Sequence, residues 1–191
     1  MSQFEYIAVL VSVVTGLGIV HLLTGIARFV TTRDQWKPYW LHLLWTWNVF
    51  HFLVFFWWFL WRWTVVSDWQ LAVYLFILIY GMGLYLLCPI LYPPVGDGEV
   101  DFKEIFYENR KSFFALWAVL MIIDFIDTNL KISYGLSSLG PFYYVANTSL
   151  FVGSLVSART ANEKWHIAWA WIFFGFMAAI EWQSFGTLRS G

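Results

Sequence analysis

Long apolar runs separated by short polar segments set the pattern of this chain. They cover residues 4–30, 38–61, 69–91, 112–130, 141–157 and 165–185. A bilayer core about 30 Å thick is crossed by roughly 20 residues of helix, with about 17 as the lower limit. Each run is therefore expected to be a transmembrane helix, giving an all-α, polytopic bundle of six spans in one transmembrane domain over residues 1–191. Ahead of the fourth run, residues 101–111 place Phe102, Ile105 and Phe106 on one side and charges elsewhere. That spacing predicts a short amphipathic helix lying in the membrane interface before span four begins.

Small residues recur at helical spacing inside these runs. Gly18 and Gly25 share a face of span one, Ser149, Gly153 and Ser157 follow at four-residue steps in span five, and Gly175 and Ala179 do so in span six. Such stripes let helix backbones approach closely in lipid, so these seven positions are expected to be packing sites. The third run has almost no polar side chains and reads as lipid-facing, with Pro89 bending or ending its last turn. Gly96-Asp97-Gly98-Glu99 reads as a turn, and Pro38 as a first-turn residue of span two.

Composition strengthens the membrane reading. The chain is 60% hydrophobic and 12% charged, about half the charged fraction of an average soluble domain. The net charge of −1 comes without a basic run, so no nucleic-acid partner is expected. One cysteine, Cys88, excludes an internal disulfide and any multi-cysteine metal site. The N-terminal Met1-Ser2-Gln3-Phe4-Glu5 lacks a basic region and a cleavage pattern, so the first run is expected to be a retained span. Arg28, Arg33, Lys37, Lys103, Arg110, Lys111, Arg159 and Lys164 flank the loops after spans one, three and five, against Arg62, Lys131 and Arg189 on the other side. The positive-inside rule then puts the odd-numbered loops in the cytoplasm and both termini outside.

Ionisable groups inside a membrane are costly and mark candidate sites. Trp117, Leu120, Asp124, Asp127 and Lys131 form one stripe of span four, in which Asp127 and Lys131 are an i,i+4 pair. Asp124 has no partner on its own helix and is expected to pair with Arg62 or Lys131, to be protonated, or to hold a cation. Glu181 lies at comparable depth in span six. His21 in span one, with Asn48 and His51 in span two, completes the expected polar interior. His42 and His51 are nine residues apart and so point to opposite sides of their helix. A b-type haem would need axial histidines from two helices at one depth. His21, His42 and His51 lie roughly 13, 6 and 20 Å from the same membrane face, so no pair matches closely. His166 reads as an interfacial residue. The 14 tryptophans divide into belt positions such as Trp36, Trp61 and Trp165 and deeper ones such as Trp45 and Trp117. No phosphate-binding loop, nucleophile elbow, zinc-protease motif or dinucleotide fingerprint is present, and no enzyme activity or metal site is expected.

The opening Phe4-Glu5-Tyr6-Ile7-Ala8-Val9-Leu10-Val11-Ser12, then Gly16-Leu17-Gly18, His21-Leu22-Leu23, Glu108-Asn109-Arg110 and Asp124-Phe125-Ile126-Asp127-Thr128, resemble segments of a group of bacterial multi-span membrane proteins. The resemblance spans most of the chain and implies a bacterial inner-membrane setting. It carries no activity. Three functional expectations follow from the residues. The first is movement or sensing of a proton or small ion through His21, Asn48, His51, Asp124, Asp127 and Glu181. The second is a non-catalytic subunit of a homo-oligomer or larger membrane complex, packed through spans one and five. The third is a haem or pigment protein using His21, His42 or His51.

Overall fold

The computed structural model describes residues 3–31, 35–94, 99–137 and 140–187, with side chains as far as residue 182. It is an all-α bundle of six helices: α1 (Gln3–Thr31), α2 (Trp40–Phe59), α3 (Leu71–Leu91), α4 (Phe102–Ser133), α5 (Pro141–Arg159) and α6 (Glu163–Thr187). A 3-10 segment, Leu60–Val65, prolongs α2. Four helical stretches are long and apolar enough to cross a membrane: Gln3–Thr31, Trp40–Val65, Leu71–Leu91 and Phe102–Ser133. The expected turn at Gly96-Asp97-Gly98, and Arg33 and Arg189 of the cation tally, fall outside the described residues.

Local sequence explains where the helices begin and stop. Asp101 caps α4, its carboxylate accepting from the backbone N–H of Lys103 at 2.8 Å and of Glu104 at 3.3 Å. Asn162 does the same for α6 through Lys164 at 3.0 Å and Trp165 at 3.4 Å. Pro141 opens α5. Pro38 lies two residues ahead of α2 instead of within its first turn. At its far end α4 stops in a Schellman turn: Leu136 N–H reaches the Lys131 carbonyl and Gly135 N–H the Ile132 carbonyl. Gly135 holds φ at +71°, which glycine adopts without steric penalty.

The amphipathic segment 101–111 is not a separate interfacial helix. No glycine or proline interrupts Phe102–Ser133, and the helix runs unbroken through it. Thirty-two residues make a rod about 48 Å long, well beyond the thickness of a bilayer core. Phe102 and Phe106 are buried against protein, Phe102 on Phe29 and Trp36, Phe106 on Tyr39 and His166. The pattern that suggested a lipid surface is satisfied by aromatic neighbours from three other parts of the chain.

α3 departs from expectation on one face only, since Leu71, Leu75, Ile79, Met82 and Leu86 stay exposed. It packs against α1, α2 and α4 and buries Ile77, Tyr80, Gly81, Leu84, Leu87, Cys88 and Leu91. An almost wholly apolar helix reads the same whether lipid or protein covers it. The helix ends two residues after Pro89, and its terminal carbonyls are capped by histidines: His42 Nε2 lies 2.9 Å from the Leu91 oxygen and His21 Nε2 2.9 Å from the Tyr92 oxygen. A carbonyl only accepts, so both rings donate from Nε2.

The three odd-numbered connections meet at one end of the bundle. Trp36–Lys37 and Val100–Asp101 pair as two short parallel strands, β1 and β2. Lys37 bonds Glu99 at 2.7 Å, while Glu163 accepts from Lys103 at 3.0 Å and from the Tyr39 hydroxyl at 2.8 Å. Arg110 adds a bond to the Thr160 carbonyl at 3.2 Å. The stripes of small residues are spent inside the chain: Gly18 faces Cys88 and Leu53, Gly25 faces the Tyr92 ring, and Gly153 faces the Trp169 ring. Ser157 accepts from the Trp165 indole at 2.9 Å. Ser149 is half-buried and bonded to its own helix, and nothing lies within 4 Å of a Cβ placed on Gly175.

Gly153→Ala is expected to lower stability by about 1–3 kcal/mol, because a methyl group would overlap a buried indole. Gly16→Ala, with open space at its Cβ, should be neutral or slightly stabilising. Thermal unfolding of the two variants in one detergent checks the contrast. A second outcome concerns pH. The Lys103 bond, with that of Tyr39, pulls the Glu163 carboxylate below its ordinary value of 4.5. A depressed carboxylate stabilises the fold above that value and loses its effect as the pH falls through the lowered one. Glu163→Gln should thus melt slightly earlier than the parent chain at pH 7, and the difference should shrink below pH 4.5 and vanish once the pH has fallen through the lowered value.

Candidate functional site

The polar stripe of α4 faces the interior. Asp127 and Lys131, only 4% and 9% exposed, form the expected i,i+4 ion pair, and the Lys131 ammonium stands 6.0 Å from the centre of the Trp63 ring. One turn deeper, Asp124 is held by neutral donors. The Tyr80 hydroxyl donates to Oδ1 at 2.9 Å, and the Tyr143 hydroxyl and the Asn147 amide donate to Oδ2 at 2.6 and 3.1 Å. The donors come from α3 and α5, on either side of α4. Asn147 also reaches the Met121 carbonyl at 3.2 Å, which orients its amide.

Beside this carboxylate lies a cavity of about 90 Å³, bounded by α2 to α6 and by the 3-10 segment. About 10–15 Å³ on this measure admits one water, so the space holds several waters or a few heavy atoms. Phe52, Phe55, Phe56 and Phe59 form one wall, with Met121, Leu150, Met177 and Ile180 opposite. Asp124, Asp127 and Lys131 line its depth, and it continues to Arg62 and Ser137. Arg62 donates to Ser137 Oγ at 2.9 Å and to the Leu136 carbonyl at 3.5 Å, the groups set out by the turn that ends α4. The guanidinium also lies over the Phe59 ring at 5.1 Å. Arg62 therefore meets no carboxylate among the described residues; neither does it pair with Asp124, as expected from the sequence. Roughly 14 Å of helix rise separate Asp124 from the end of α4.

The other candidates stand apart from Asp124. His51 Nε2 meets Glu181 Oε1 at 2.7 Å, joining α2 to α6. This pair sits behind the cavity wall, His51 packing edge-on against Phe55 at 4.8 Å and Glu181 following Ile180. Asn48 donates to the Ala170 carbonyl at 3.3 Å. His21 and His42 belong to the cap of α3 at the opposite end. His166, near the start of α6, is fully buried, stacked on Phe114 at 5.3 Å and bonded to the Thr160 carbonyl. The single polar interior expected from His21, Asn48, His51, Asp124 and Glu181 is thus several local clusters. Between the cavity and the capped end lies packed aromatic core, where Trp117 meets Phe52 and Phe173, and Trp45 meets Phe113, Phe114 and Phe173.

Haem ligation by His21, His42 or His51 does not suit this arrangement. Each Nε2 is engaged, by a helix-end carbonyl or by Glu181, and His42 is wedged between the edges of Tyr92 and Phe102. Among the described residues no three His, Cys, Asp or Glu side chains converge as a metal site. Sequence reading missed Tyr80, Tyr143 and Asn147. Tyr143 and Asn147 at i,i+4 in an apolar helix were the available signal; Tyr80 is one of three tyrosines in α3, with Tyr74 and Tyr85, and nothing in the sequence singled it out.

Fold and site together define an all-α membrane protein with a half-buried carboxylate beside a cavity. Comparison with protein-family models, with curated proteins and with solved structures found no match.

Removing one member of a buried ion pair strands the other charge and typically costs about 3–5 kcal/mol. Asp127→Leu and Lys131→Met should each destabilise the protein by that order. The double variant should recover most of the loss, read as a positive coupling in a double-mutant cycle of thermal unfolding.

Proposed function

We propose that this chain is a six-span protein of the bacterial inner membrane, with both termini outside, that moves or senses a proton or small cation at Asp124. The observation that carries the proposal is a carboxylate within a long apolar helix whose contacts are neutral donors, set in a cavity that continues to the Arg62 and Ser137 end of the bundle. Tyrosine hydroxyls and an amide hold a carboxylate in place without neutralising it, so a proton or cation arriving through the cavity finds its charge available. The Asp127–Lys131 pair keeps the surroundings near neutrality.

The aromatic core beyond Asp124 makes the resting arrangement a vestibule closed at its inner end. Ions enter from the Arg62 side, and passage across requires the layer around Trp117 and Phe173 to part. The subunit reading has less support, since Gly18, Gly25 and Gly153 close this bundle on itself.

Proteoliposomes loaded with a pH-sensitive dye test the proposal. After an imposed pH step, the parent chain should dissipate the gradient faster than empty vesicles or report it through tryptophan fluorescence. Asp124→Asn should remove the response and Asp124→Glu retain part of it. A parent protein silent in both readouts, or an Asp124→Asn variant indistinguishable from it, refutes the proposal.

A further inference from the structure

The cavity beside Asp124 carries more information than its charge. Its walls are phenylalanine rings, methionine thioethers and aliphatic side chains, with Phe56 packed on Tyr80 at 4.8 Å and Tyr80 bonded to Asp124. The cavity's neutral polar groups are Tyr80, Tyr143, Asn147, Thr128 and Ser137. The first three are directed at Asp124, and Ser137 is engaged by Arg62. A hydrated inorganic ion would therefore exchange most of its water for apolar walls, whereas such ions bind through several oxygen ligands. The remaining acid, Asp127, is taken by Lys131. An organic cation brings its own apolar shell, and its weakly hydrated charge is stabilised by aromatic faces and one carboxylate. The volume of about 90 Å³ suits a headgroup of a few heavy atoms.

From this geometry we infer that the cavity is a binding site for a small organic cation, an alkylammonium or quaternary ammonium group, whose charge sits at Asp124 and whose carbons lie against Phe52 and Phe56. The inference rests on Asp124 being an ion acceptor, as proposed above, and assigns the chemical class of the ion. Arg62 stands at the mouth with neutral acceptors as its partners. Its positive charge opposes the approach of a cation and sets a preference for ligands that also carry an acceptor or anionic group at the trailing end. Asp124 at the inner end disfavours a simple anion.

The test is calorimetric titration of the full chain in detergent with methylammonium, tetramethylammonium and choline, alongside dimethylbutanol, the uncharged isostere of choline in which carbon replaces nitrogen. At least one ammonium ion is expected to bind saturably, and dimethylbutanol at least tenfold more weakly than choline. Asp124→Asn should weaken the binding roughly 100-fold or more, as for loss of one buried charged contact. Phe56→Leu should weaken it by about three- to tenfold through the lost ring face, with thermal unfolding near that of the parent. Arg62→Gln should tighten binding of tetramethylammonium. Phe56→Leu, Arg62→Gln and the isostere comparison decide the matter even where Asp124→Asn fails to fold.

Equal binding of choline and dimethylbutanol, or no saturable binding of any ammonium ion, overturns the inference; so does binding unchanged by Asp124→Asn. The two readings fail separately. Asp124-dependent proton flux without ammonium binding removes the organic cation and leaves the proton. Ammonium binding without a proton response does the reverse.

Discussion

A carboxylate in the middle of an apolar helix has no partner on its own helix, and the rest of the bundle has to supply its hydrogen-bond donors. Asp124 finds them on two helices at once, Tyr80 of α3 and Tyr143 with Asn147 of α5. Those contacts fix the rotation of α3 and α5 about α4, since a turn of either helix by one residue would carry its donor about 100° away. Much follows from that alignment. Lys131 and Asp127 come to lie next to Trp63, and a gap is left where Phe52 to Phe59 of α2 cannot fill the space beside a polar group. The aromatic core beneath is dry and close-packed. Polar satisfaction at one level and apolar packing at another are consequences of a single register.

Neutral donors matter to what the site does. An ion pair such as Asp127–Lys131 is self-contained, and its two charges cancel for anything nearby. A carboxylate held by hydroxyls and an amide keeps its field. The two aspartates of α4 lie three residues apart and carry equal formal charge, but only Asp124 offers charge to the cavity. The difference comes from what lies across the interface and not from α4 itself.

That point also marks how far the sequence could be read. The helical class, six helices, the inward stripe of α4 and the Asp127–Lys131 pair all depend on periodicity or on i,i+4 neighbours, and these are local properties. Whether an apolar surface meets lipid or protein is not local, which is why one face of α3 and the first turns of α4 were misplaced. Phe102 and Phe106 make the same amphipathic pattern against a membrane or against Tyr39 and His166. The partners of Asp124, His21 and His51 depend on which helices become neighbours and at what rotation. Histidine in an apolar run suggests a relay or a ligand, whereas His21 and His42 complete the backbone hydrogen bonding of another helix. Pro89 was the visible clue there, because a helix interrupted near its end leaves carbonyls to be met.

The capping of α3 has a consequence for how such a chain is built. A ribosome delivers α1 and α2 first, so His21 and His42 precede the Leu91 and Tyr92 carbonyls they satisfy. The third helix ends in a place already prepared for it. Asp124 is different. Tyr80 is made before it, but Tyr143 and Asn147 come after, so during synthesis the carboxylate spends an interval with one of its three donors. Translation order thus makes the helix end the early, self-completing part of the assembly, and leaves the acidic centre to be finished only when α5 arrives.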